Sequence, residues 1–340
     1  MLKYPDAVQE YVSKELSKGR CSGPFSKTDV ERILRGPFVS SPLLVSASSQ
    51  GPGLPEKLRV CRNLSKGDTK NGLPALNTFV DKDLFPTCFD FAYQVEEVIA
   101  NVPDGTLACA FDLQSFHRTV PVHPLHKPYL VFESGGHFYI DHAHPFGLST
   151  ASSNAGQAGG ALVRIWDLRL GKNGKTMRYE DDIPVFRFPS PLTHHDVLNL
   201  VDDLHAPWHP VKSGSEFTPS IVFIGFLWDI ANWTVSLPEE KRIKYRHRVK
   251  DFLTQKTVSL HDVQRIHGTL VHISFVHRDG ASRLPAISSL MHGYKNSFML
   301  RHVSKVARTA LEWWLTRLDD PSAHPAHPPP APVARSRPLC

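Results

Sequence analysis

Three carboxylates stand where they could do chemistry together. Tyr179-Glu180-Asp181-Asp182 lies between two strand-like runs, 176–179 and 183–188, which puts its acidic residues on a tight turn. Adjacent carboxylates on such a turn repel one another and are costly unless something positive holds them. A pair of divalent metal ions would do so. A third carboxylate, Asp112, closes a separate apolar run, Thr106-Leu107-Ala108-Cys109-Ala110-Phe111. Two strand-borne sites that bring three carboxylates together make a two-metal phosphoryl-transfer centre. One ion polarises a hydroxyl and the other bridges triphosphate oxygens. Hard oxygen ligands suit Mg²⁺, with Mn²⁺ as the alternative ion. Asp112 and Asp181 are the expected principal ligands, Asp182 a further ligand or charge neighbour, and Tyr179 is expected to pack under the turn. The plain alternative is an acidic surface turn.

The elements that must carry these residues can be read from periodicity and turn signals. Residues 5–18 pattern as an amphipathic helix with Val8, Tyr11, Val12 and Leu16 on one side. Thr28-Asp29-Val30-Glu31 resembles a capping box that opens a second helix, ended by Gly36. Two strand-like stretches, 42–45 and 57–64, flank a Ser/Gly/Pro loop and predict a hairpin. A helix is expected over 90–101, a turn at Pro103-Asp104-Gly105, and then the Asp112 strand. Residues 128–141 suit a hairpin turning at Ser134-Gly135-Gly136, and a small-residue helix runs from residue 150 to about 165. The Asp-Asp hairpin, a helix near 194–205 and a strand over 220–226 follow. Helices dominate after residue 238. From Pro321 to Cys340 the chain is Pro, Ala, His and Arg, a composition that buries no core. The order is not a regular βαβ alternation, so an α+β fold is expected.

Composition narrows the class. With 340 residues and an apolar share of 41%, the chain can bury real cores. No run approaches the roughly 18 apolar residues of a membrane span, and no apolar signal region opens the N-terminus. The expectation is an intracellular, non-secreted protein of cytoplasm or nucleus with no membrane partner. Five scattered cysteines without a CxxC pair suggest neither a disulfide framework nor a cysteine zinc site. His205 and His209 have i,i+4 spacing, but Pro207 and Pro210 interrupt any helix that could present both. The net charge is +6, and residues 241–320 hold 15 Lys/Arg against 6 Asp/Glu. Lys241, Arg242, Lys244, Arg246 and Arg248, interleaved with apolar and aromatic residues, suit a surface facing nucleic acid; a solvated helix face is the alternative.

Taken in order, these motifs resemble a retroelement reverse transcriptase. Phe111-Asp112-Leu113-Gln114-Ser115-Phe116-His117-Arg118-Thr119-Val120-Pro121-Val122 is similar to that family's first catalytic motif. Pro145-Phe146-Gly147-Leu148-Ser149-Thr150-Ala151 looks like its PFGL segment, and Tyr179-Glu180-Asp181-Asp182 like its YxDD box. Trp208-His209-Pro210-Val211-Lys212-Ser213 resembles the motif whose lysine protonates the leaving pyrophosphate. Phe223-Ile224-Gly225-Phe226 resembles the primer-grip hairpin, and Lys57-Leu58-Arg59-Val60-Cys61-Arg62-Asn63-Leu64-Ser65 the fingers strand whose basic side chains meet the triphosphate. Each string alone is weak; six in order across about 170 residues are not. The strings Asn63-Leu64-Ser65, His123-Pro124 and Val235-Ser236-Leu237-Pro238 are closer in style to retrotransposons that integrate with a tyrosine recombinase.

The resemblance implies a right-hand polymerase: an N-terminal helical segment (1–36), fingers (37–104), a palm of antiparallel sheet and helices (105–236, with a fingers insertion at about 123–144), a basic helical thumb or connection (237–318) and a disordered tail (319–340). It implies RNA-directed DNA synthesis with an RNA template, a DNA primer, deoxynucleoside triphosphates and two Mg²⁺. Asp112, Asp181, Asp182 and Lys212 would be catalytic. Lys57, Arg59, Phe116, His117, Phe146 and Gly147 would bind nucleotide, and Gly225 with the basic residues from Lys241 to Arg248 would hold template and primer. Gly147 would let backbone approach a base pair, and Gly156, Gly159 and Gly160 would let a strand lie close to their helix or simply pack it tightly. His117 stands where the family has a bulky aromatic that excludes the ribose 2′-hydroxyl, Asn63 where Asp is common, and Pro184 removes a donor beside the catalytic turn. With no acidic cluster left for a ribonuclease H, a truncated element copy is expected. The alternative is a catalytically inactive, element-derived nucleic-acid-binding protein.

Overall fold

The computed structural model describes residues 3–48, 55–68 and 70–319. The Pro-rich stretch expected to lack a core lies outside them. Helix α1 (Pro5–Ser17) opens with proline in its first turn, where no donor is lost. It is followed by β1 (Cys21–Phe25), α2 (Lys27–Leu34), β2 (Ser40–Ser41), β3 (Leu43–Ser48) and β4 (Lys57–Arg62). The cap of α2 is Ser26, whose hydroxyl accepts from the Asp29 N–H at 3.1 Å, so the helix starts before the expected Thr28 box. Strands β3 and β4 pair antiparallel from Leu43↔Arg62 to Ser48↔Lys57, which is the predicted hairpin.

Next come α3 (Ala92–Asn101), β5 (Leu107–Asp112), β6 (Val131–Ser134) and β7 (His137–Asp141). The β6–β7 turn uses Gly135 and Gly136 at φ 60° and 77°, a backbone that favours glycine. β1 joins β7 and β2 joins β6, giving the sheet order β1-β7-β6-β2. Then follow α4 (Ala151–Leu170), β8 (Gly174–Thr176), β9 (Asp182–Arg187), α5 (His194–Asn199), β10 (Ser220–Phe223), β11 (Phe226–Asp229) and β12 (Thr234–Ser236). The strand expected over 220–226 is instead two strands folded at Ile224-Gly225. The helix expected near 194–205 stops at Asn199, and a short 3₁₀ turn covers Asp202–Leu204. The chain closes with α6 (Glu239–Thr254), β13 (Thr257–Ser259), α7 (Leu260–Ser274), α8 (Leu284–Ser288), β14 (Leu300–His302) and α9 (Lys305–Asp319).

The central three-stranded sheet runs β5-β9-β8. Its β5 edge is extended by bonds to the 213–218 segment: Gly214 N–H donates to Ala110 at 2.8 Å, and Thr218 exchanges bonds with Ala108. Pro184 sits within the middle strand. Its carbonyl accepts from Met177 N–H at 3.0 Å, so the donor it lacks is the return bond of that pair, just beyond the end of β8. One apolar cluster packs Phe111, Trp166, Ile183 and Val185 between this sheet and α4. Trp166 also donates through Nε1 to the Val197 carbonyl at 2.9 Å, which ties down α5. A larger cluster joins β10–β12 to α6, α7 and α9 around Trp228 and Trp314. Mixed α and β structure is thus present as expected. Among the described residues, no helix is long and apolar enough to cross a membrane.

A buried charge network ties the N-terminal block to the end of β5. Arg62 pairs with Asp141 through two bonds, 2.8 and 3.1 Å. Arg118 bonds Asp141 at 2.9 Å, Glu15 at 2.8 Å and the Ala143 carbonyl at 2.6 Å. The Arg62 guanidinium also lies 3.6 Å over the Phe132 ring. The four charges of the Glu15–Arg118–Asp141–Arg62 chain would each be costly alone; together they pair with one another, although Arg62 Nη1 is left without a hydrogen-bond partner.

Candidate functional site

Sheet register creates the site. Asp112, the last residue of β5, lies opposite Asp182, the first of β9. Tyr179 and Asp182 exchange backbone bonds of 2.9 and 3.0 Å across the two-residue turn Glu180-Asp181. Glu180 holds φ 52°, a left-handed conformation that costs a non-glycine residue about 1–2 kcal/mol. The Asp181 carbonyl accepts from Leu113 N–H at 2.9 Å, which fastens the turn to the chain leaving β5. Tyr179 packs on Phe89, with centroids 5.3 Å apart, and against the larger core, as expected for the residue under the turn. All three carboxylates therefore meet at one end of one sheet.

Lys212 reaches the same place. Its ammonium donates to Asp112 Oδ2 at 2.8 Å, and this bond, with the charges of all three aspartates, raises its acid above the usual lysine value. The loop carrying it is tied down locally: the Ser213 hydroxyl accepts from Asp112 N–H at 3.1 Å, and His209 N–H donates to the Asp112 carbonyl at 2.7 Å. Asp182 keeps an exposed edge, yet enclosure by protein, then Asp181 and then Asp112, push its acid up to about 6, with Lys212 pulling the other way.

This donor set suits a divalent cation in chemistry. It is all carboxylate oxygen, it carries more negative than positive charge, and Asp112 Oδ1 is buried with no hydrogen-bond partner. As the side chains stand, no three His, Cys, Asp or Glu among the described residues are grouped to hold a metal. Lys212 occupies one Asp112 oxygen and would have to yield it.

The expected nucleotide-facing residues divide. His117 and Phe146 come together edge-to-face with centroids 4.9 Å apart, and His117 Nε2 lies 3.1 Å from Ser152 Oγ and 3.4 Å from Glu180 Oε2. His117 thus links the Phe146 segment to the carboxylate turn. Phe116, expected beside it, is instead 4% exposed and packed in the core against α4. Gly147 is required, but by protein: at φ 105° its Cβ would collide with the Arg62 carbonyl, and Arg62 N–H donates to the Phe146 carbonyl at 2.8 Å. Lys57 and Arg59 are exposed on β4, where Arg59 reaches Ser48 Oγ at 3.4 Å. No contact brings them to the aspartates. The small face of α4 is filled from within as well: Cβ atoms at Gly156, Gly159 and Gly160 would all face the side chain of Arg178.

The basic helix α6 is partly spent on the protein itself. Arg242 bonds Glu239 at 2.7 and 2.6 Å and also the Leu318 carbonyl; Arg246 pairs with Asp319; Arg248 donates to Thr269 Oγ1 at 2.6 Å. Lys244 and Lys250 stay exposed. Lys241 is half-buried beneath the Ile224-Gly225 turn, where a Gly225 Cβ would strike its ammonium; burial, then Lys244, lowers its acid. Ile224 itself holds φ 50°, unusual for a β-branched residue.

Arg178 and Arg62 were not singled out by sequence. The three glycines signalled a bulky neighbour for α4, but nothing local said that it was the arginine before Tyr179.

No family model matches the chain, and no curated protein matches it in sequence. Solved structures do. A foamy viral protease-reverse transcriptase, designated dRH and in complex with double-stranded DNA, aligns with TM-score 0.64 at 15% identity, over 94% of this chain and 48% of its own. A foamy viral protease-reverse transcriptase with an RNA/DNA hybrid gives 0.61 at 14% identity, over 94% and 37%; another with double-stranded DNA gives 0.57 at 14%, over 94% and 58%. The fold is therefore reverse-transcriptase-like across nearly the whole chain. The chain spans between 37% and 58% of those proteins' lengths.

Proposed function

We propose that this chain is an RNA-directed DNA polymerase domain that extends a primer 3′-hydroxyl along an RNA template. The observation that carries this reading is the β5–β9 register, which sets Asp112 opposite Asp182 with Asp181 fastened beside them, in a fold similar to a reverse transcriptase. In this reading residues 37–104 act as fingers, 105–236 as palm and 237–318 as thumb. The tyrosine-recombinase retrotransposon subtype rests on the sequence strings alone.

Asp112, Asp181 and Asp182 would hold two Mg²⁺, which when bound supply charge to the attacking hydroxyl and the triphosphate. The protein's own part is placement. The turn bonded to Leu113 aims two carboxylates at the third. His117 and Phe146 offer an imidazole and a ring face to an incoming deoxynucleotide. Lys212, released from Asp112, can give its proton to the departing pyrophosphate. Lys241 and Lys244, beside the Gly225 turn, meet the sugar–phosphate backbone without reading sequence.

The test is extension of a DNA primer on an RNA template by the full chain. Extension that requires Mg²⁺ or Mn²⁺ and is lost in Asp181→Asn is expected. A chain that binds the hybrid but extends no primer with either ion overturns this reading in favour of the second, a catalytically inactive nucleic-acid-binding protein. One observation speaks for that second reading: Lys212 already neutralises part of the aspartate cluster.

A further inference from the structure

Arg178, the residue before the carboxylate turn, is 4% exposed. Burial is costly to a guanidinium and pulls its acid below the usual arginine value, against the nearby charges of Asp90 and Glu180. Its hydrogen bonds go to main chain. Nη1 donates to the Glu180 carbonyl at 3.1 Å and Nη2 to the Cys88 carbonyl at 2.8 Å. Glu180 is the residue held at φ 52°. The guanidinium lies 5.2 Å from the Phe89 ring and 5.9 Å from the Phe116 ring. Its own backbone is clamped by Asp90: Arg178 N–H donates to Asp90 Oδ2, and Asp90 N–H to the Arg178 carbonyl, both at 2.8 Å. Its stem fits because α4 carries glycine where it passes; a Gly159 Cβ would stand 3.1 Å from Arg178 Cδ.

We infer that Arg178 is a positioning residue: its planar fork holds the Glu180 carbonyl, and through it the left-handed turn that aims Asp181 and Asp182 at Asp112, so that it sets divalent-cation affinity and turnover without touching substrate. The inference rests on the polymerase reading of that site. Lysine cannot replace this role, because a single ammonium does not span the two carbonyls that the guanidinium fork holds. The glycine face of α4 is then part of the same device, a channel for the arginine.

The experiment compares wild-type chain, Arg178→Lys, Arg178→Ala and Gly159→Ala. Mn²⁺ affinity is read by electron paramagnetic resonance without nucleic acid; kcat and KM for deoxynucleotide are read by primer extension, and folding by thermal melting. Arg178→Lys is expected to weaken Mn²⁺ binding about 10-fold or more, as losses behind a ligand shell do. It should lower kcat about 100-fold from misplaced groups, with KM nearly unchanged. Guanidinium added to Arg178→Ala should restore part of the Mn²⁺ affinity. Should Arg178→Lys not fold, Gly159→Ala, which presses on the stem, carries the test with a loss of roughly threefold in Mn²⁺ affinity. A wild-type chain with neither Mn²⁺ binding nor extension overturns the polymerase reading and this inference together. An active wild type whose folded Arg178→Lys or Gly159→Ala variant keeps Mn²⁺ affinity and kcat overturns the inference alone.

Discussion

At the scale of single residues, the contact Lys212 makes and the role proposed for it pull in opposite directions. In this structure it lies on Asp112 Oδ2, and half of its side chain is exposed, at 52%. Asp112 is buried, but with the ammonium open to water the pair is screened and worth about 1 kcal/mol. It nevertheless competes with any cation for that oxygen. Lys212→Met should therefore tighten Mn²⁺ binding in the absence of nucleotide, by up to about fivefold if the pair is worth ~1 kcal/mol. It should also slow primer extension by roughly 10²-fold if the ammonium is the general acid. Both changes are read from one Mn²⁺ titration and one extension time course. If affinity and rate fall together, Lys212 merely holds Asp112 in place, and its assignment as proton donor is lost. The same scale shows a structural need at glycines that the sequence associates with nucleic acid. A Cβ at Gly147 would meet the Arg62 carbonyl, and one at Gly159 would press on the Arg178 side chain. Composition shows that space is required and is silent on what fills it.

At the scale of elements, what was legible was local. The β3–β4 and β6–β7 hairpins and helices α1, α3 and α4 follow from periodicity and turn residues within a short window. The pairing of distant segments was not legible. β1, with glycine and proline inside it, does not read as a strand, yet it pairs with β7 more than a hundred residues later. Composition reads 220–226 as one strand because Ile224 is a poor turn residue; the fold at Ile224-Gly225, with Ile224 at φ 50°, lies where the Phe223–Phe226 resemblance placed a hairpin. The charge network shows most clearly what sequence cannot supply, since its members stand at positions 15, 62, 118 and 141. It binds α1, β4 and β7 to the 3₁₀ turn Phe116–Thr119 that follows β5. Asp141 is the acid shared by both arginines, and its side chain is 1% exposed. Asp141→Asn should cost about 3–5 kcal/mol, the usual penalty for stranding a buried charge, seen as a lowered midpoint in urea unfolding. A loss under about 1 kcal/mol would mean that the network is hydrated or rearranges. Because Arg62 also carries Phe146 on its backbone and Arg118 follows His117, the folded fraction should show a disturbed nucleotide KM as well.

At the scale of the whole molecule, formal charge overstates the surface offered to nucleic acid. The chain carries +6, and the stretch from 241 to 320 is its most basic. Arginines of that stretch are largely turned to structural use. Arg242 and Arg246 fasten α6 to α9, Arg308 bonds the Leu253 and Gln255 carbonyls at 2.9 Å each, and Arg317 pairs with Asp279 at 2.6 Å. The lysines differ: Lys241 is half-buried at the Gly225 turn, while Lys244 and Lys250 are exposed along the same helix and, in the polymerase reading, would meet phosphates. Each phosphate neutralised releases condensed counterions and steepens the fall of log K with log salt by about 0.9 for duplex DNA. Lys244→Ala should therefore flatten that slope by about one unit and weaken hybrid binding uniformly across sequences. Arg246→Ala, which loses a bond to Asp319 rather than to a phosphate, should leave the slope within about 0.3 of wild type while lowering the melting point of α6 and α9. Binding isotherms at several salt concentrations separate the two. Equal slope changes in both variants would show that the Arg246–Asp319 pair opens when nucleic acid arrives, and that the basic face is assembled by its partner rather than presented ready-made.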